Sequence, residues 1–144
     1  MNINQNYHNY NFESLPLLLF KEKIDTGLSK PSVKIEGDVS RERAIICRVC
    51  GNVITKPDYA IEIEGKCAHK FVNPAGIVYH IGCYKEAPGC AAAGEPTREF
   101  TWFPGYSWCF ALCNMCFAHL GWYYTSGASG FYGLILDNIT ENII

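Results

Sequence analysis

Two pairs of cysteines share one spacing. Cys47 and Cys50 bracket Arg48-Val49 and are followed by Gly51, while Cys113 and Cys116 bracket Asn114-Met115. A Cys-x-x-Cys turn lets two thiolates reach one metal ion, and a following glycine permits the tight backbone such a turn needs. Two of them predict a closed, tetrahedral site for a structural Zn2+, with Cys47, Cys50, Cys113 and Cys116 as its ligands. A redox-active dithiol is the rival chemistry, but it wants a single motif at a helix start in a βαβ unit, and no such unit is legible. Cys67, Cys83, Cys90 and Cys109 lack the spacing and read as small buried hydrophobes or free thiols. His69, His80 and His119 are spare candidates for a ligand that a set of four thiolates does not need.

The second pair lies inside "FTWFPGYSWCFALCNMCFAHLGWYY", residues 100–124, which holds all three tryptophans and no Lys, Arg, Asp or Glu. Residues two apart in a strand share a face, so Phe100 points with Trp102, and Trp122 with Tyr124, while Tyr123 points away. Pro104-Gly105 reverses the chain between Trp102 and Trp108, and the Cys113/Cys116 turn reverses it again before Trp122. Three indoles thus converge as walls of a small pocket, with Phe100 and Tyr124 beside them. The plainer reading is that these aromatics fill a core. Against it, buried indole N–H groups need partners, and Gly105 and Gly121 leave room for close approach.

The elements that must hold these residues are short strands. Residues 59–65, "YAIEIEG", alternate apolar and acidic as a half-buried strand does. "KFVNPAGIVYHIGCY" reads as two strands about an Asn-Pro-Ala-Gly turn; "REFTWF" and "SWCFALC" flank Pro104-Gly105; "HLGWYYTS" and "FYGLIL" flank "GASG". No stretch of helical period follows residue 44, so the expected fold is an all-β domain of antiparallel strands over residues 44–144. A metal site between its start and its late strands would close a loop of roughly 60 residues or more, a useful constraint on a small β domain.

Residues 1–43 are Asn-rich and then polar with Gly and Pro, and are expected to be a partly disordered N-terminal extension. The apolar run at residues 15–20 falls short of the roughly 20 residues a membrane span takes. The first basic residue is Lys21, so no signal peptide is read, and a cytoplasmic location, where disulfides are rare, is expected. With 49% hydrophobic residues the 144-residue chain has enough for a core. Its net charge is −2 and no Lys or Arg follows Arg98, so neither nucleic acid nor a membrane surface is expected as a partner.

"CRVCG", "FVNPAG", the W-F-P-G-Y-x-W segment, the second C-x-x-C and the G-W after it stand in the order seen in one family. From residue 44 to residue 136 the chain resembles the thalidomide-binding (CULT) domain of cereblon and its bacterial single-domain relatives. The resemblance implies a β-tent fold: two antiparallel sheets pinned by a zinc on four cysteines, which fall on Cys47, Cys50, Cys113 and Cys116. It implies a three-tryptophan cage on Trp102, Trp108 and Trp122, completed by Phe100 and Tyr124, with Asn73 in a loop over the pocket. The implied ligand is a cyclic imide, either a glutarimide-type small molecule or the cyclised C-terminal Gln or Asn of a protein. Where cereblon has a His, this chain has Phe100, as in the bacterial type. Cys109 follows Trp108 and is expected to put a thiol close to the site.

Imide methylenes pack well on indole faces, and the imide N–H and C=O groups need partners, for which the backbone of Phe100, Thr101 and Trp102 is placed. The function expected is therefore a binding module for cyclic imides or similar uracil-type rings, not an enzyme and not one with a ubiquitin-ligase partner. Two alternatives stand beside it. One is a thiol oxidoreductase of the methionine sulfoxide reductase type using Cys109 or Cys83. The other is a cage for a cation, with Glu99 as the nearby carboxylate.

Overall fold

The computed structural model describes residues 41–144. Of the expected N-terminal extension, residues 1–40, with His8 and the apolar run 15–20, lie outside the described residues. The described chain has nine strands and two short 3-10 turns, with no α-helix.

Strands β1 (Arg43–Cys47), β2 (Val53–Thr55) and β9 (Ile139–Ile143) form one antiparallel sheet in the order β2-β1-β9. The second sheet runs β3-β4-β8-β7-β6-β5. Its strands are β3 (Ala68–Val72), β4 (Val78–Tyr84), β5 (Cys90–Thr97), β6 (Ser107–Cys113), β7 (His119–Ser126) and β8 (Ser129–Ile135). Every pairing is antiparallel. This is the all-β, two-sheet architecture the sequence implied. The β7–β8 hairpin turns on Gly127-Ala128, with Ser126 opposite Ser129. In the β3–β4 hairpin the Asn73 side chain accepts the Ile77 N–H at 2.8 Å, closing the loop that "NPAG" announced.

The alternation of the strands sorts their side chains onto two faces. On one face of the large sheet, Tyr84, Cys113, Leu120 and Leu134 pack against Ile45, Cys47, Ile54 and Ile139 of the small sheet. On the other face, Ile81, Cys83, Trp122, Tyr124, Phe131 and Ile135 gather round Phe103. Phe103 comes from the loop between β5 and β6. It is fully buried and meets Tyr124, Phe131 and Phe71 edge-on, with ring centroids 4.8, 5.0 and 5.2 Å apart. Edge-to-face contacts of this kind add to the gain from burial, so Phe103 stakes the loop to the sheet.

Two segments read as strands are not. In residues 59–65 the chain leaves a 3-10 turn (Pro57–Tyr59) and makes only isolated bridges, Ala60 to Tyr84 and Ile63 to Lys66. Glu64 and Gly65 take positive φ values of 52° and 78° and turn it back. The alternation there has a different cause: Ile61 and Ile63 pack on the Phe103 cluster while the residues between them stay exposed. Residues 98–103 are also loop, and Phe100 sits at φ 55°. The shared direction of Phe100 and Trp102 therefore does not come from strand pleat.

One irregularity shapes the site. Ala111 pairs with Gly121 but Leu112 pairs with His119, so β7 carries an extra residue, a β-bulge at Leu120. The bulge sends Leu120 into the core between the sheets and turns His119 onto the opposite face, against Phe110 and Trp122. Gly121 makes this possible. It has φ 153°, and a Cβ there would overlap the Gly133 carbonyl and crowd the Leu134 Cα at 2.9 Å. Gly121→Ala should therefore destabilise the domain by about 3 kcal/mol, through strain and overlap together. Urea unfolding followed by tryptophan fluorescence measures it, and a change under about 0.5 kcal/mol, the size of an ordinary surface substitution, would show that the bulge relaxes.

Candidate binding pocket and metal centre

The aromatic residues come together through the β6–β7 ladder. Trp108 is opposite Tyr124 and Phe110 opposite Trp122, so all four project from one face. The staked loop lays Trp102 over them. Trp102 meets Trp122 edge-on at 4.8 Å and 77°, stacks on Phe71 at 5.0 Å and 10°, and lies tilted against Tyr79 at 5.8 Å. Tyr79 on β4 stands edge-on to Trp122 at 5.1 Å. The result is a pocket of about 270 Å³ lined by Asn73, Pro74, Tyr79, Phe100, Trp102, Trp108, Phe110, His119, Trp122 and Tyr124.

Six of the seven predicted pocket residues line this space: Asn73, Phe100, Trp102, Trp108, Trp122 and Tyr124. Thr101 does not. Its hydroxyl is directed at the Phe103 carbonyl, 3.3 Å away, and its N–H donates to the Arg98 carbonyl, which folds the loop on itself. Cys109 is also not at the pocket. It is buried on the opposite face of β6, across from Tyr123, because it alternates with Trp108 and Phe110. The sequence reading missed Pro74, Tyr79, Phe110 and His119. The period of two from Trp108 points to Phe110; the bulge hid His119.

The lining carries no Lys, Arg, Asp or Glu. Glu99, the carboxylate considered for a cation cage, is exposed and contributes its backbone carbonyl, which accepts the Trp108 indole N–H at 2.8 Å. Among the described residues no hydrogen bond engages the backbone N–H or C=O of Phe100, the N–H of Trp102, or the indole N–H groups of Trp102 and Trp122. The residues that line the slot thus bring together aromatic faces with neutral donors and an acceptor that have no partner among the described residues. His119 holds its Nε2 2.9 Å from the Gly121 carbonyl. Burial lowers its pKa below the ordinary 6.5, an effect that the Gly121 carbonyl only partly offsets. It is therefore neutral at pH 7.

The second constellation lies at the junction of the sheets. The Sγ atoms of Cys47, Cys50, Cys113 and Cys116 all lie within 4.8 Å of one another. Cys47 to Cys116 is 3.7 Å and Cys50 to Cys113 is 3.6 Å. A tetrahedral ion with sulfur at about 2.3 Å needs sulfur atoms about 3.8 Å apart, so the four thiols fit one metal ion. The two turns are built alike. Cys47 N–H donates to the Asn52 carbonyl and Gly51 N–H to the Cys47 carbonyl; Cys113 N–H donates to the Ala118 carbonyl and Phe117 N–H to the Cys113 carbonyl. Phe117 holds at φ 60° the position that Gly51 holds at φ 77°. The second turn therefore does without the glycine the motif leads one to expect.

Asn52, fully enclosed, donates its amide to Asn114 Oδ1 at 2.8 Å and faces the Cys113 sulfur at 3.5 Å. Burial alone would raise the Cys113 thiol, but the N–H groups of Cys116 and Met115 and the Asn52 amide outweigh it and bring it down to about 7. Burial pushes Cys50 up to about 12. Donors aimed at sulfur favour thiolate, the form that binds metal. His119 is outside this cluster. Cys83 is fully buried and its thiol is pushed up to about 12, chiefly by burial, and burial also raises Cys109. No helix among the described residues is long and apolar enough to cross a membrane.

No family model matches the chain. It is 29% identical over 116 residues to protein cereblon of Gallus gallus, a match covering 72% of this chain and 26% of that protein. With protein cereblon of Xenopus tropicalis it shares 31% identity over 91 residues, 61% of this chain and 20% of that protein. With that of Drosophila persimilis it shares 29% over 111 residues, 69% and 18% respectively. The similarity is that of a cereblon-type (CULT) domain. The chain spans about a quarter or less of the length of these curated relatives, so the resemblance concerns the domain and not the whole of a cereblon.

His119 gives the domain a pH dependence of known sign. The unfolded chain takes up a proton near pH 6.5, whereas the folded chain, with its pKa below that, does so only at lower pH. Stability attributable to His119 is thus present above pH 6.5 and is lost as pH falls through the folded pKa. His119→Gln should show a smaller fall in urea midpoint than the wild type between about pH 7.5 and about pH 5.5. Parallel midpoints for the two proteins would place the imidazole in water.

Proposed function

We propose that this cereblon-type domain is a binding module for a small, neutral cyclic imide or a similar uracil-type ring, held in the cage of Trp102, Trp108 and Trp122. The observation that carries this reading is the pairing of three indoles with unengaged backbone groups around one uncharged slot of about 270 Å³. Sites for drug-sized ligands run from about 300 to 1,000 Å³, so this one suits a single ring or a ring at the end of a larger molecule, such as a cyclised C-terminal Gln or Asn. Ring methylenes would pack on the indole faces. The imide N–H finds an acceptor in the Phe100 carbonyl, and the imide carbonyls find donors in the N–H groups of Phe100 and Trp102. Asn73 and Pro74 close the rim from the β3–β4 hairpin. Phe100 in place of the cereblon His removes one side-chain donor and supports kinship with the bacterial single-domain type.

The alternatives gain no support. Cys109 faces away from the slot and Cys83 is sealed, so neither thiol considered for that chemistry is placed to attack a sulfoxide held there. A cationic ligand would meet aromatic faces but no carboxylate in the lining. We further propose that the four-cysteine cluster holds a structural Zn2+, since four thiolates at tetrahedral spacing leave no open position for catalysis. Four cysteines set as one metal site fit a reducing compartment such as the cytoplasm. Nothing in the reading calls for nucleic acid, a membrane or a ubiquitin-ligase partner.

Titration with glutarimide and with thalidomide, followed by tryptophan fluorescence, tests the binding reading. Saturable quenching or enhancement is expected, and Trp108→Ala should weaken it by about 2–4 kcal/mol, roughly 30- to 1,000-fold. No response at millimolar imide from wild-type protein would sink the proposal. Metal analysis tests the second reading: one zinc per chain is expected, and Cys116→Ala should give unfolded or aggregated protein. A soluble, metal-free Cys116→Ala domain with wild-type stability would count against a structural metal.

A further inference from the structure

A fifth thiol stands beside the four. Cys90 on β5 is the register partner of Cys113 on β6. Neither residue spends its N–H on the other: Cys90 N–H donates to the Ala87 carbonyl and Cys113 N–H to the Ala118 carbonyl. The neighbouring pair is bonded across the strands, with Asn114 N–H donating to the Gly89 carbonyl at 2.9 Å. Cys90 and Cys113 therefore occupy a non-hydrogen-bonded site of the antiparallel ladder, where Cα atoms approach to about 4.5 Å and side chains lie closest. That spacing falls within the range of about 4.4–6.8 Å that a disulfide spans. Both side chains belong to the same cluster between the sheets, Cys113 fully buried and Cys90 packed against it. A cysteine at this position is not needed for the metal set, which is complete without it.

We propose that Cys90 is a resolving thiol for the four-cysteine cluster, which makes Cys90–Cys113 a reversible oxidation site. The inference rests on reading Cys47, Cys50, Cys113 and Cys116 as one metal site. The oxidant is a hydroperoxide, and it enters at Cys50, the exposed member of the four. The Cys50 sulfur attacks the peroxide, the O–O bond breaks, and Cys50 becomes a sulfenic acid while the other oxygen leaves as alcohol or water. Cys113, 3.6 Å away, then attacks the Cys50 sulfur; an S–S bond forms and water leaves. Cys90 attacks the Cys113 sulfur from the facing strand, its proton passes to the Cys50 sulfur that leaves, and Cys90–Cys113 stays bonded. One peroxide is reduced and two thiols are oxidised. The bond spans a ladder already in register, and it removes one sulfur from the set of four. A dithiol reductant reverses it.

The test oxidises the folded protein with one equivalent of hydrogen peroxide, alkylates the remaining thiols, and maps disulfides by mass spectrometry. A Cys90–Cys113 linkage is expected, together with release of metal into a chromogenic chelator and recovery on adding dithiol. Cys90→Ser, which leaves the four ligands in place, should lack that linkage and stop at a Cys50–Cys113 disulfide. The inference is overturned if Cys90 stays alkylatable while a disulfide forms within the four, or if no disulfide forms. Protein that carries no metal as purified would refute the metal reading alone, since the linkage is mapped independently of it.

Discussion

Four sulfur atoms from two tight turns, one in each sheet, meet within 4.8 Å. Most of the described structure can be traced from that meeting. The turns lie more than 60 residues apart in the chain, and each belongs to a hairpin, β1–β2 on one side and β6–β7 on the other. Burial opposes ionising Cys47, Cys50 and Cys113, while backbone N–H groups and the Asn52 amide favour it at Cys113. The Asn52–Asn114 hydrogen bond ties one turn to the other directly. Fixing this junction fixes more than the angle between two sheets. Cys113 ends the strand that carries Trp108 and Phe110, and His119 begins the strand that carries Trp122 and Tyr124. The register of the pocket wall is therefore set one turn away from the sulfurs.

The other side of the pocket is held differently. Residues 98–106 form no ladder, and they are positioned by one buried ring, Phe103, which stands edge-on to His69, Phe71, Tyr124 and Phe131. Loop backbone cannot be buried without partners for its polar groups. Here some of those groups, at Phe100 and Trp102, have no partner among the described residues, and both residues line the slot. A rigid aromatic anchor beside free backbone donors and acceptors is a sound way to build a preformed site, because little side-chain freedom remains to be lost on binding. The uncharged lining offers aromatic faces and polar groups without a fixed charge.

Neutrality also connects the pocket with its one titratable wall of interest. His119 reaches the aromatic face only because β7 bulges, and burial there keeps its imidazole uncharged. A strand without the bulge would place Leu120 in the wall and His119 between the sheets, exchanging an apolar group for a polar one in both places.

The spacing of the cysteines and the massing of three tryptophans in an uncharged run are local in the chain, and the sequence alone was enough to group Cys47 with Cys50, Cys113 with Cys116, and Phe100, Trp102, Trp108, Trp122 and Tyr124 with one another. Alternation also assigned Tyr123 and Tyr124 to opposite faces, since the pleat has a period of two. Other features needed the third dimension. Residues 59–65 alternate in burial without being a strand, because a period of two records what a segment lies against and not whether its backbone is paired. Thr101 turned inward to its own loop, and Cys109 fell behind the sheet although its sequence neighbour Trp108 lines the pocket. Tyr79 entered the wall from β4, and no local pattern announces a neighbour across strands. Asn52 became the donor to a sulfur more than 60 residues away. The bulge at Leu120 inverted the faces of two residues, and its cause, the close approach of Gly121 to the Gly133 carbonyl, exists only once β7 and β8 are paired. Sequence determined which residues belong together by type and spacing; packing between distant strands decided which way each of them faces.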